Sequence, residues 1–243
     1  MSTTLANPQY RHELKFGIPA GEAIVISRRL GALLPRDGHA GPDGRYTVRS
    51  LYFDTPFDDA LREKHEGVST RAKWRLRTYG NDVGANGCPI HLEKKTKRNG
   101  LGQKHKEPLN LAQAYLLAEG GVIEPALLEA LSDTNDAPGT VGIEFCQLTK
   151  SRLLAPKAVV IYEREAFRYR AGNVRVTIDT AVRVCARPDA FFAENPLMIP
   201  AAPGEAVVEV KYDAYLPDWI AGAASTSTAR TAWSKYALAR RYE

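Results

Sequence analysis

The stretch Arg71-Ala72-Lys73-Trp74-Arg75-Leu76-Arg77 decides how this chain is read. In a β-strand, successive side chains point to opposite faces. Arg71, Lys73, Arg75 and Arg77 therefore share one face, and Ala72, Trp74 and Leu76 share the other. Alone, this pattern describes a solvated outer face laid over a core. Other segments repeat it, however. Glu93, Lys95 and Lys97 share a face in 91–97. Arg175, Thr177 and Asp179 oppose Val174, Val176 and Ile178. Glu209 and Lys211 oppose Val208, Val210 and Tyr212, while Arg11, Glu13 and Lys15 oppose Leu14 and Phe16. Arg164, after Tyr162 and Glu163, can join the set.

Many strands thus carry basic residues with a few carboxylates on one side. Such a sheet can be half exposed, with its charges in water. Alternatively it can close into a barrel with a polar lumen and an apolar outside covered by helices. Like charges on neighbouring strands repel. An inward cluster of them is costly unless an anion fills it. Arg forks and Lys point charges suit phosphate oxygens. Isolated carboxylates among them suit a divalent cation that bridges phosphates. The pattern fits a chain of phosphates with Mn²⁺ or Mg²⁺.

Working outward, strands are expected over 10–16, 46–54, 70–79, 90–97, 158–170, 174–179, 181–186 and 206–212. Helical periodicity predicts 22–34, 109–118, 125–131, 143–154 and 227–241. Turn-rich stretches fall at 38–44, 80–87, 133–139 and 195–204, and none reads as a domain linker. The expectation is one α+β domain over 1–243 with a loose start at 1–9, dominated by antiparallel sheet.

The bulk numbers agree with a globular protein. The chain has 243 residues, 44% hydrophobic and 25% charged, which excludes bulk disorder and collagen-like repeats. Lys and Arg number 33 against 28 Asp and Glu, a formal charge of +5. That excess favours an anionic partner without naming it. Cys88, Cys146 and Cys185 are odd in number and far apart, which argues against a disulfide scaffold or a structural zinc site. The five histidines are scattered and none is assigned to a metal. No stretch reaches the ~18 apolar residues of a membrane span, and the N-terminus lacks a signal-peptide core. The expected location is the cytoplasm.

The same residues carry a family resemblance. In order along the chain stand Arg11-His-Glu-Leu-Lys-Phe16, Val48-Arg-Ser-Leu-Tyr-Phe-Asp-Thr55, Arg75-Leu-Arg-Thr-Tyr79 and His91-Leu-Glu-Lys-Lys-Thr96. Tyr162-Glu-Arg164, Val174-Arg-Val-Thr-Ile-Asp179, Val208-Glu-Val-Lys-Tyr212 and Ser234-Lys-Tyr236 follow. Together they resemble the VTC-type polyphosphate polymerase domain within the triphosphate tunnel metalloenzymes, a CYTH-like superfamily. The resemblance implies an antiparallel β-tunnel of about eight strands with a basic lumen, a closed barrel flanked by helices. It also implies metal-dependent chemistry on ATP, triphosphate or polyphosphate.

Residue by residue, it implies that Arg75, Arg77, Lys95, Arg164 and Arg175 grip phosphates and that Lys235 belongs to a helix closing the tunnel. Lys104 and Lys106 lie where the family places another lysine. Glu209 matches the metal glutamate, with Glu13 and Glu93 as further candidates. Lys15, Lys73, Lys97 and Lys211 share the same faces and complete the expected substrate-binding set. Two departures stand out. Arg11 occupies the place of the superfamily's first glutamate, and Ala232 stands near that of a second lysine in the eukaryotic polymerases. The leading expectation is polyphosphate synthesis from ATP. A triphosphatase comes second and a non-catalytic polyanion-binding module third. DNA is not an expected partner.

Overall fold

The computed structural model describes residues 10–80, 83, 89–133 and 137–242. Cys88 and the loose start expected over 1–9 lie outside the described residues. One nine-stranded antiparallel sheet dominates, with seven α-helices among the described residues. The strands are β1 (His12–Pro19), β2 (Tyr46–Asp54), β3 (Thr70–Tyr79), β4 (Ile90–Arg98), β5 (Leu101–Leu109), β6 (Ala155–Tyr169), β7 (Val174–Cys185), β8 (Ile199–Pro200) and β9 (Glu205–Tyr212). Their spatial order is β1-β9-β7-β6-β2-β3-β4-β5, with the two-residue β8 pairing off this path to β7.

The expected closed barrel is corrected here. β1 and β5 are the two ends of the hydrogen-bonded path, and no ladder joins them. Among the described residues their backbones meet in one isolated bridge, in which Arg11 and Gly102 exchange two N–H···O bonds of 2.9 Å. The seam is tight there. A Cβ on Gly102 would come within 3.3 Å of the Glu13 carboxylate. The sheet is therefore a curled, open-seamed trough.

Helices cover its outside. The helices α3 (Leu111–Glu119), α4 (Pro125–Ala130) and α5 (Thr140–Ser151) pack over Leu51, Phe53, Trp74, Leu76 and Leu92. The helices α1 (Ala20–Leu33) and α6 (Asp218–Ala223) pack over Val176, Ile178, Val208 and Val210. These are the apolar positions of the alternation, so the charged positions face inward. All nine residues of β2 are buried, as befits a central strand covered on both faces.

Three expectations fail for identifiable reasons. β5 was absent from the sequence reading because Leu-Gly-Gln-Lys-His-Lys-Glu-Pro-Leu has weak strand propensity. The Asn99-Gly100 pair before it, both with positive φ, makes the two-residue hairpin that pairs Arg98 with Leu101. Next, 174–179 and 181–186 are a single strand. Its ladder shifts register at a bulge between Ile161 and Glu163, and Ala181 opposite has φ 50°. Finally, the helix expected over 227–241 shrinks to α7 (Lys235–Ala239) and a short 3₁₀ turn. The Ser/Thr-rich run before it bonds to its own backbone and to β1. Thr231 N–H donates to the Lys15 carbonyl at 2.9 Å, and the Arg230 guanidinium donates to the Glu13 carbonyl. The short α2 (Asp59–His65) and α6 were also not expected.

α7 lies inside the trough. Its Tyr236, Leu238 and Ala239 pack with Val48, Tyr52, Val160 and Tyr162 on the concave faces of β2 and β6.

Candidate active site

Arg71, Lys73, Arg75 and Arg77 of β3 all line the concave cavity. Its two adjoining chambers hold about 390 and 650 Å³. Both chambers are lined by Glu13, Arg75, Arg77, Lys95, Arg164 and Lys211. Lys15, Lys73, Lys97, Glu209 and Lys235 lie in the first. Lys104 and Arg175 lie in the second. The cations thus come from many strands to one space, as alternation on a curled sheet requires.

Within it the charges fall into three groups. In the first, Glu13 and Glu209 share Lys15, whose Nζ lies 2.8 Å from one and 3.2 Å from the other. Lys95 Nζ donates to Glu13 at 2.9 Å, and Lys211 pairs with Glu209 at 2.9 Å. Burial and the neighbouring Glu209 both favour a protonated Glu13, but Lys95 and Lys15 outweigh them and lower its pKa to about 2. Burial opposes ionisation of Glu209 too, and Lys211 and Lys15 reverse it. Both carboxylates are therefore ionised.

In the second group, Glu93 is 1% exposed beneath the guanidinium of Arg75, which donates two bonds to it of 2.6 and 2.8 Å. Lys104 Nζ adds another at 2.9 Å. Arg75 also donates to the Tyr52 hydroxyl at 3.1 Å, and Arg77 to the Tyr162 hydroxyl at 2.6 Å and to Ser50 at 3.3 Å. These oxygens aim the two forks. In the third group, Arg164 grips Asp179 through two bonds of 2.6 and 2.8 Å, and Lys235 from α7 reaches the same carboxylate. Lys235 Nζ also lies 4.4 Å from the centroid of the Tyr162 ring.

Lys73 is the odd member. Its Nζ donates to Ser234 Oγ at 2.9 Å. Burial first, then the positive charges of Lys15, Lys64 and Arg71, lower its pKa to about 7.

Some expected residues stand apart. Glu93 accepts two guanidinium bonds and a lysine, apart from the pair that Glu13 and Glu209 make through Lys15. Lys106 is exposed and lines neither chamber. Arg175 reaches the second chamber, but its guanidinium already donates to Asp37 at 2.6 Å and to the Tyr46 hydroxyl at 2.9 Å. The sequence reading missed Asp37, which holds Arg175, and the lining residues Arg168, Arg170, Arg230, Tyr79 and Tyr162. Trp74 alternates onto the core face as its place opposite the β3 cations predicts, while Tyr52, Tyr79 and Tyr162 alternate inward, a signal their spacing on β2, β3 and β6 already held.

A sequence profile described as the VTC domain matches residues 10–242. The chain belongs to the VTC domain family. No curated protein sequence matches it. Among solved structures, HpAC1 of Hippeastrum aligns with a TM-score of 0.52, 12% identity and 96% coverage of both chains. It is described as a candidate adenylyl cyclase with a dominant triphosphatase activity. PH1819 of Pyrococcus horikoshii OT3 aligns at 0.49 and 11% identity, over 96% of this chain and 100% of that one. The Mimivirus capping enzyme triphosphatase aligns at 0.41 and 10% identity, over 85% and 82%. At such identities the likeness concerns the fold.

A divalent cation suits the donor set of this VTC domain. Glu13 and Glu209 offer hard, ionised oxygens side by side. Among the described residues no group of three or more His, Cys, Asp or Glu side chains converges. Such a pair matches a Mg²⁺- or Mn²⁺-type ion that completes its shell with phosphate oxygens and water. No helix among the described residues is long and apolar enough to cross a membrane.

Proposed function

We propose that the lumen binds a linear triphosphate and that the protein transfers its terminal phosphoryl group, making polyphosphate from ATP. The observation that carries this reading is the convergence of Arg75, Arg77, Lys95 and Arg164 on a cavity whose one carboxylate pair, Glu13 and Glu209, is ionised and suited to a cation.

Phosphoryl transfer needs positioning and charge neutralisation more than covalent help. Arg75 and Arg77 hold phosphate oxygens from β3, and Arg164 holds them from β6 two strands away. Lys95 and Lys211 span the waist between the chambers. Glu13 and Glu209 would hold the divalent ion, which supplies charge neutralisation at the phosphate bridge when bound. In the proposed reaction the acceptor oxygen forms a bond to the γ-phosphorus while the bond from that phosphorus to the β–γ bridging oxygen breaks. The electron pair leaves on the β-phosphate of ADP. With a terminal phosphate as acceptor the chain grows. Lys235, Ser234 and Lys73 line the first chamber and orient whichever phosphate lies there.

Hydrolysis is the second reading, with water as acceptor. The fold shared with HpAC1, described as a dominant triphosphatase, favours it. The deciding experiment supplies the purified protein with ATP and Mn²⁺ or Mg²⁺, then with tripolyphosphate, and measures long-chain product and free phosphate. Chain growth is the expected result. Phosphate release alone selects hydrolysis. Tight tripolyphosphate binding with no turnover of either compound rejects both and leaves a polyanion-binding module.

A further inference from the structure

Tyr52 and Asp54 sit at alternate positions on β2, and the site described above uses Tyr52 only to aim Arg75 and Asp54 not at all. Both point to the concave face, where α7 lies against them. Tyr236 of α7 stacks on Tyr52 with ring centroids 5.2 Å apart and 28° between planes. Its hydroxyl donates to Asp54 Oδ2 at 2.7 Å. Asp54 is 1% exposed and cannot swing away. Its Oδ1 accepts the backbone N–H groups of Thr55 and Ala60 at 2.8 and 2.9 Å, and its Oδ2 accepts that of Leu61 at 3.2 Å.

Tyr52 also touches the phosphate grip, since its hydroxyl accepts from Arg75. A single tyrosine therefore contacts both a lumen guanidinium and the helix that carries Lys235. α7 has only five residues, far below the ~12–15 at which an isolated helix begins to hold. Its placement must come from contacts like these. Ser234 and Lys235 immediately precede Tyr236, so fixing Tyr236 fixes both within one turn. Burial and the Asp54 charge both raise the Tyr236 pKa, so its hydroxyl keeps its proton and remains a donor.

We propose that Tyr52 and Asp54 are positioning residues which, through Tyr236, latch α7 so that Ser234 and Lys235 face the lumen beside Lys73 and Asp179, in register with Arg75. The proposal rests on reading the lumen as a phosphoryl-transfer site, but the latch can be tested without turnover.

Tyr236→Phe removes one oxygen and keeps the ring. It is expected to speed amide hydrogen exchange at Ala237 and Leu238. Turnover should fall about tenfold with KM within about twofold, the split of a group that acts on the transition state through another. Lys235→Ala should fall further, and the double variant should be no slower than Lys235→Ala alone, because both losses run through Lys235. Tyr52→Phe keeps the stack and loses the bond to Arg75. It should weaken tripolyphosphate binding several-fold while leaving exchange in α7 unchanged. Asp54→Asn replaces the acceptor facing Tyr236 and repeats the first test should Tyr236→Phe not fold.

Unchanged exchange in the Tyr236 and Asp54 variants overturns the latch. Raised exchange with wild-type turnover, or losses that add fully in the double variant, overturns the positioning role. Should the wild-type protein turn over neither ATP nor tripolyphosphate, the parent reading fails. Exchange at Ala237 and Leu238 in Tyr236→Phe and Asp54→Asn then still decides the latch.

Discussion

The lumen has two unlike regions. At the β1–β9 wall, Glu13 and Glu209 are neutralised by Lys15, Lys95 and Lys211, compact charges on flexible stems. At the β2–β3–β6 wall, Arg75, Arg77 and Arg164 are planar forks fixed by Glu93, Asp179 and two tyrosine hydroxyls. A lysine can leave a carboxylate and follow a phosphate with little geometric loss, whereas a braced guanidinium is already aimed. In the proposed function the contrast gives the cation to the adaptable wall and the phosphates to the rigid one, because the carboxylate oxygens of the rigid wall are spent on holding arginines.

The assignment predicts its own most severe failure. Glu209→Gln should lower metal-dependent turnover by about 100-fold or more, comparable to losing a key charge-stabilising group. Metal-free tripolyphosphate affinity should stay equal or rise, because the lumen loses a negative charge. Calorimetry without metal, beside turnover with it, checks both. Turnover at the wild-type level removes the cation from this wall.

At the rigid wall Arg75 carries the next largest effect. Removing a charge-assisted bond is worth about 2–3 kcal/mol, or about 30- to 150-fold in affinity. Arg75→Ala should weaken tripolyphosphate binding by that order. It should also destabilise the fold, because Glu93 is left buried with fewer partners. Arg75→Lys should recover much of the stability and little of the affinity, since a point charge cannot reproduce the fork. Equal affinity in the two variants and the wild type would dissolve the distinction between the walls.

The sequence made the rigid wall legible, and the adaptable wall only in part. Alternation alone puts Arg71, Lys73, Arg75 and Arg77 on one face, and the apolar faces of β2, β3, β7 and β9 oblige helices to cover the outside. Which carboxylate meets which cation was not legible. Glu93 and Glu13 occupy equivalent places in the pattern, and only the strand order shows that Glu93 lies under β3 while Glu13 crosses to β9. The open seam was hidden for a similar reason. It depends on how β1 meets β5, a strand whose polar composition and Pro108 conceal it. The run 227–234 ahead of α7 was misread as helix because helical spacing of its few apolar residues ignores the pull of Ser and Thr toward the backbone.

Lys73 lies where the two walls meet and offers a smaller, signed effect. Its ordinary pKa of 10.5 falls to about 7 in the fold. Between those values the unfolded chain holds a proton that the folded chain has shed. Its burial therefore costs least above pH 10.5 and most below 7, and stability rises with pH across that window. A phosphate beside Lys73 favours the charged form again. Tripolyphosphate binding at pH 8 without metal should then take up on the order of one proton more in the wild type than in Lys73→Met. Calorimetry in buffers of different ionisation enthalpy reads the difference, and equal uptake would place the bound phosphates away from Lys73.

The smallest effect separates two lysines of one strand. Lys104 and Lys106 share a face of β5, and the register sets Lys106 directly opposite Glu93. Yet it is Lys104, on the diagonal, that reaches the carboxylate at 2.9 Å and lines the second chamber. Diagonal neighbours about 7–8 Å apart are within reach of a long side chain. Both lysines are exposed, but Lys106 lines neither chamber, and a surface charge there is worth little. Lys106→Ala should leave turnover and tripolyphosphate affinity within about twofold of wild type at 0.15 M salt. Lys104→Ala should weaken affinity about threefold to tenfold, as the loss of one partly exposed charged contact would. If the two variants weaken binding alike, the rigid wall extends to the outer edge of β5, and its boundary must be redrawn there.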